Sequence, residues 1–174
     1  MSAAAMPPTP PAAATVRRAL PADLPAIGRL GGLLVRLHHE FDPQRFIEPP
    51  PQIEEGYASF VGRQLDNRDV VLLVAERAGR VLGYTYAGLE GYDYMALRGP
   101  AGALYDIVVD PSERGQGVGR LLVQATLAEL AALGAPRVVL STAVHNETAQ
   151  RLFTAAGFRP TMIEMTRELE PESS

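Results

Sequence analysis

The chain has 174 residues, about a fifth of them charged, no cysteine and a formal net charge of −4. This is enough for one domain with one core. It excludes disulfides, thiolate metal sites and a cysteine nucleophile, and a net acidic chain advertises no general nucleic-acid surface. No apolar run approaches the roughly 18 residues of a membrane span, and the four prolines of "MSAAAMPPTPPAAAT" argue against a signal peptide. Residues 1–14 read as a disordered Ala/Pro-rich tail and 15–170 as a single domain. The expected location is cytoplasmic, with neither membrane nor nucleic acid as partner.

"TVRRA", residues 15–19, opens as a short strand. Leu24, Ile27, Leu30, Leu34, Leu37 and Phe41 then step by three or four, which predicts a helix with one apolar face. The prolines of "DPQRFIEPPP" break it, and residues 52–66 follow as a second helix. "VVLLVAE" is a buried strand, Ala78-Gly79-Arg80 a turn, and "VLGYTYAGLE" the returning strand. "GYDYMALRGPAG" is a loop, with Arg98 a solvated cation, and "ALYDIVV", residues 103–109, is another buried strand. A helix from about Gly117 to Leu133, the strand "RVVLSTA", a helix capped by Asn146 and closed by Gly157, and a last strand through 158–169 complete the chain. That order predicts a mixed α/β sheet with helices on both faces.

The join "VVDPSERGQGVGRLLV", residues 108–123, carries the strongest chemical signal. Asp110-Pro111 ends the strand. Gly115, Gly117 and Gly119 then lead into a helix, whose unpaired N–H groups and dipole favour an anion, most often phosphate. Arg114 and Arg120 add charge. A P-loop would need a lysine and a Ser or Thr after its last glycine, but Arg120-Leu121 stands there. A dinucleotide fingerprint would need a third glycine at Arg120 and an acidic residue near the end of the next strand, and "VVLSTAV" has none.

"IVVDPSERGQGVGRLLV" followed by "HNETAQRLFTAAGF" closely resembles the GNAT superfamily of acyl-CoA-dependent N-acetyltransferases. The first stretch matches that family's Arg/Gln-x-x-Gly-x-Gly/Ala motif at Arg114, Gly117 and Gly119, and the second its Asn–helix–Gly-Phe motif. The resemblance implies a GNAT-like fold with about six to seven strands, and acetyl-CoA as co-substrate. It implies that backbone N–H groups of Gly115, Gln116, Gly117, Val118, Gly119 and Arg120 hold the pyrophosphate. The pantetheine arm would pair, strand-like, with Ile107, Val108 and Val109 and touch Asn146, which can serve as an N-cap as well. Dimers through the C-terminal part of the sheet are frequent in the family, so a homodimer is an option.

The implied reaction is attack of a primary amine on the acetyl thioester in a ternary complex. A free alkylamine of pKa near 10.4 is about 99.9% protonated at pH 7, so a group must take that proton. Many relatives carry a general-acid tyrosine where Phe153 stands, and some a glutamate base where Ser141 stands, so neither role transfers. Phe153 falls on an apolar stripe with Ala149, Leu152 and Ala156 and reads as core. A thiol with pKa near 8.5 is a tolerable leaving group without an acid.

Asp106, the one charge within "ALYDIVV", is the leading candidate to bind the ammonium and accept its proton. A lone carboxylate there is costly unless paired or used. The competing reading is a structural aspartate hydrogen-bonded to a loop. On a regular strand Tyr105 would point away from Asp106, so only one could face a cleft. Tyr84 and Tyr86 share a face of the neighbouring strand and could offer a hydroxyl or simply pack. His38 and His39 end the first helix, where a dipole contact competes with substrate contact. A metal there is not expected without further ligands. Glu40, Asp42, Glu48, Glu54 and Glu55 could draw in a cation or form a solvated face. Polyamine, aminoglycoside, amino acid and protein N-terminus all stay open as acceptors. Two other function classes compete: an acetyl-CoA-binding sensor without catalysis, favoured by Phe153 and Ser141, and an unrelated nucleotide-phosphate binder.

Overall fold

The computed structural model describes residues 13–169. Four strands form an antiparallel meander: β1 (Thr15–Arg18), β2 (Val70–Arg77), β3 (Arg80–Glu90) and β4 (Ala101–Val109). A short β5 (Val138–Leu140) joins β4 in parallel, so the sheet order is β1-β2-β3-β4-β5. The helices are α1 (Leu24–Phe41), α2 (Ile53–Gly62), α3 (Val118–Ala132) and α4 (Glu147–Ala155). The run Val70–Ala75 is continuously apolar because both faces of β2 are covered. Val70, Leu72 and Val74 pack with Ile27 and Leu30 of α1 and Val61 of α2. Val71 and Leu73 turn the other way, onto Val123 and Leu130 of α3 and Phe153 of α4.

Buried polar groups tie the layers together. Thr126 Oγ1 donates to Leu122 O at 2.8 Å, so the 2.8 Å contact between Thr85 and Thr126 is a bond that Thr85 donates, linking β3 to α3. Arg17 bridges Asp23 and Glu76, each at 2.7 Å, and fixes β1 against both the start of α1 and β2.

Three expectations need correction. Among the described residues the sheet has five strands, not six or seven. Residues 158–169 form no strand: Met162, Ile163, Met165 and Leu169 are all exposed, and past Phe158 no ladder partner exists among the described residues. A segment with no neighbouring strand to exchange backbone hydrogen bonds gains nothing from extended pairing geometry. Arg98 is a loop staple, not a solvated cation: its side chain is 18% exposed, paired with Glu90 and 3.8 Å from Asp93. The tail expected over 1–14 lies mostly outside the described residues, and Ala14 itself packs against the core.

Phe153 is 6% exposed and edge-on to Phe158 at 5.9 Å between ring centres, as expected for core. Phe153→Ala should therefore lower stability by about 3–5 kcal/mol in urea titration. A cost below about 1 kcal/mol would show that the ring is not core.

Candidate active site

β4 and β5 pair only from Gly102 with Val138 to Leu104 with Leu140, and then diverge. Beyond Leu104 the side of β4 facing β5 has no ladder partner, while the other side stays bonded to β3 through Val109. A cavity of about 260 Å³ opens in this fork. Its floor is β4, from Leu104 to Ile107. Ser141, Thr142 and Asn146 form one wall, with Phe153 behind them. Leu34, Val35 and His38 of α1, and Phe46 and Ile47 of the loop after it, form the other.

The register of β3 and β4 slips inside this cavity. Tyr86 faces Asp106 and Ala87 faces Leu104, so Tyr105 is an extra, bulged residue. The alternation expected for a regular strand fails here, and Tyr105 and Asp106 both line the cleft. Tyr105 packs on Tyr86 with ring centres 5.0 Å apart, and burial beside Glu90 pushes its hydroxyl up to about 12. It therefore stays protonated at neutral pH and can donate a hydrogen bond.

Asp106 is partly buried at the cavity floor, and desolvation alone pushes its carboxyl up to about 7, with no hydrogen bond or cation opposing. The structural reading of this aspartate required a loop partner, and none of the described side-chain hydrogen bonds or ion pairs supplies one. His38 lines the same cavity, and its Nδ1 lies 2.9 Å from Leu34 O. A carbonyl only accepts, so Nδ1 carries hydrogen and Nε2 is the atom left for a ligand. His39 is spent on Phe46 O at 3.1 Å, holding the loop after α1. Tyr84 lies elsewhere: it is fully buried, packs in the α1–α2 layer and donates to Tyr57 Oη at 3.0 Å. Its expected role as a substrate hydroxyl is thus replaced by a role in the core.

Asn146 Oδ1 accepts from Ala149 N at 3.1 Å, which caps α4 and leaves the Nδ2 donors beside the cavity. The capping and ligand roles are compatible. Sequence reasoning missed Phe46 and Ile47. The available signal was an apolar pair between the charges and prolines of "DPQRFIEPPP".

Past Val109 the chain leaves the cavity for an exposed turn. Gly115 and Gly117 adopt φ of 75° and 81°, and Gly117 is the N-cap residue of α3. Gly119 sits one turn in, where an added Cβ would lie 3.2 Å from Leu152, so this glycine lets α3 approach α4. Arg114 Nε reaches Val109 O at 3.3 Å, and Arg114 to Gly117 are all exposed, as is Arg120. An ion network holds the turn from behind. Asp110 is 2.8 Å from Arg29, and Glu113 is 2.7 Å from Arg77, whose Nη2 also donates to Gln116 at 3.2 Å. Bonds from Ser112, reinforced by Arg29, hold the Asp110 carboxyl near 2. The turn is therefore held in shape by its own ion pairs, and it places exposed residues and two arginines at a helix start, an arrangement that suits an anion.

No group of three or more potential metal ligands occurs among the described residues. Among these residues no helix is long and apolar enough to cross a membrane.

Residues 34–158 match the family described as Acetyltransferase (GNAT) family. Among curated proteins, a mycothiol acetyltransferase of Thermobispora bispora is 42% identical over 89 residues, 49% of this chain and 28% of that protein. One from Cellulomonas flavigena is 34% identical over 106 residues, 59% of this chain and 30% of its own length. The chain thus spans under a third of these relatives. Among solved structures, glucosamine-6-phosphate N-acetyltransferase from Arabidopsis thaliana superposes with a TM-score of 0.64 at 20% identity, over 91% of this chain and 99% of that one. A GCN5-related N-acetyltransferase from Ralstonia eutropha gives 0.68 at 22%, over 90% and 99%. At such identity they speak for the fold, whereas the family match covers most of the chain, which therefore belongs to the GNAT family of acetyltransferases.

Proposed function

We propose that this acetyltransferase moves the acetyl group of acetyl-CoA onto a primary amine by direct attack in a ternary complex. The observation that carries the reading is Asp106, a partly buried carboxylate without a described side-chain partner, in the fork of β4 and β5. The N–H groups of Gly115–Arg120 bind the diphosphate, with Arg114 and Arg120 adding charge. The unpaired edge at Ile107–Val109 receives the pantetheine arm, and the Nδ2 donors of Asn146 meet it from α4.

Asp106 holds the incoming ammonium, and His38 Nε2 accepts a second hydrogen bond from it. Asp106 then takes one proton. The freed nitrogen attacks the carbonyl carbon, an N–C bond forms, the C–S bond breaks and the electron pair leaves on sulfur. The second nitrogen proton goes to the thiolate or to solvent. Proton transfer from an amine of pKa near 10.4 to an ordinary carboxylate costs about 9 kcal/mol, and to one near 7 about 4.6 kcal/mol. The partly buried position thus removes about half of that cost.

The names of the matched relatives favour a small-molecule acceptor. The test is thiol release from acetyl-CoA across a panel of amines. With no cysteine in the chain, a thiol reagent reads only coenzyme A. All sixteen basic residues are arginine, so no lysine side chain competes as acceptor. Amine-dependent, saturable release is expected. Saturable acetyl-CoA binding with no release from any amine would leave the sensor reading instead.

A further inference from the structure

We propose that the acceptor is a compact monoamine with an apolar body and no anionic group near its nitrogen, and that Ile47 enforces this choice. The inference rests on the acetyltransferase reading and goes beyond it by naming the class of amine.

Three observations carry it. The first is the wall opposite the coenzyme fork. Leu34, Val35, Phe46 and Ile47 are apolar, and the polar side chains of the lining are His38 on this wall, Tyr105 and Asp106 on the floor, and Ser141, Thr142 and Asn146 on the coenzyme side. A sugar or aminoglycoside seated on this wall would leave the hydroxyls that face it against carbon, losing hydrogen bonds made in water.

The second is charge. No lysine or arginine lines the cavity. The arginines on the segments of this wall are already engaged: Arg29 with Asp110 and Arg36 with Glu54 on α1, and Arg45 with Glu164, its guanidinium 5.1 Å from the Phe46 ring centre, on the loop after it; Arg98 is held by Glu90 and Asp93. An α-amino acid bound with its nitrogen at Asp106 would bring its own carboxylate beside that of Asp106, with no cation between them. Like charges at that spacing in a partly buried site cost on the order of a hundredfold in affinity.

The third is size. The cavity of about 260 Å³ must also admit the thioester, and ordinary ligand pockets run from about 300 to 1,000 Å³. A long polyamine or a folded protein terminus fits such a space poorly. Ile47 is 70% exposed at the rim of the cavity, so it can be replaced without disturbing the core.

The experiment compares phenethylamine, phenylalaninamide, L-phenylalanine, glucosamine and the amine substrate of mycothiol acetyltransferase. Thiol release is measured, together with thermal shift in saturating coenzyme A, which reports binding without turnover. Phenethylamine and phenylalaninamide should agree within about tenfold in kcat/KM, with L-phenylalanine at least a hundredfold lower. Ile47→Arg should raise kcat/KM for L-phenylalanine at least tenfold and lower it for phenethylamine. L-phenylalanine equal to its amide, or glucosamine or the mycothiol-type amine preferred to phenethylamine, would overturn the proposal. So would phenethylamine neither reacting nor stabilising a protein that still binds acetyl-CoA, and the cofactor reading would then survive. Absence of acetyl-CoA binding would bring down both.

Discussion

Asp106→Asn should give a protein that is more stable than the wild type and slower by about 10²-fold or more. The two effects share one cause. The Asp106 carboxyl titrates near 7 in the folded chain because burial disfavours its charge, against 3.8 when unfolded. Below about pH 4 it is neutral in both states and Asn gains nothing. Between about pH 4 and 7 the folded chain holds the proton longer, so wild-type stability falls as pH rises and the Asn variant draws ahead. Above pH 7 the gap is complete, on the order of 4 kcal/mol. A structural aspartate gives the opposite sign, since Asn would then lose charged hydrogen bonds. Urea titrations of both proteins at pH 4 and pH 8 separate the two.

The kinetic half of this prediction follows from the same carboxylate. Acetyl-CoA affinity should stay within a few-fold, because the turn proposed to hold the diphosphate lies beyond Val109 and outside the cavity. Wild-type kcat/KM should rise with pH through about 7 as the carboxylate forms. The variant's defect should shrink at higher pH, where more of the amine is already neutral. Normal turnover by Asp106→Asn with a good acceptor would remove Asp106 from the mechanism and leave His38 Nε2 to be tested as the base.

Much of the architecture could be read from sequence because local pattern and global placement agree. The run "VVLLVAE" has no polar face, and its strand has helices on both sides. The glycines at 115 and 117 stand where φ is positive, and Asn146 caps the helix it precedes. What could not be read depends on partners distant in sequence. The bulge at Tyr105 exists only relative to β3, and nothing in "ALYDIVV" announces it, yet it sets Tyr105 beside Asp106 in the cleft. Tyr84 and Tyr86 alternate identically, but Tyr84 meets Tyr57 and is sealed in the core, while Tyr86 lies beside Tyr105. Residues 158–169 carry strand composition without a strand to join. Phe46 and Ile47 become a wall only because His39 holds Phe46 O and Arg45 reaches Glu164.

Gly117→Asp should abolish acetyl-CoA binding in a protein that folds, whereas Gly117→Asn should keep measurable binding. Gly117 has φ of 81°, and an added Cβ would meet no atom within 4 Å. Asn and Asp tolerate the left-handed region better than other side chains. They have nearly the same shape and should cost similar, modest amounts of stability. Asp further complements the helix dipole and should be no less stable than Asn. Their difference toward the ligand is then one negative charge. At about 5 Å from a phosphate, with an effective dielectric near 20, that charge repels by about 3 kcal/mol per phosphate charge, more than a hundredfold in affinity. It also takes up the helix N-terminus that would otherwise serve the diphosphate. Calorimetric titration of both variants with acetyl-CoA, beside their melting temperatures, reads the two effects independently. Equal affinity of the Asn and Asp variants would mean that no phosphate sits at this turn, and the coenzyme would have to be placed elsewhere along β4.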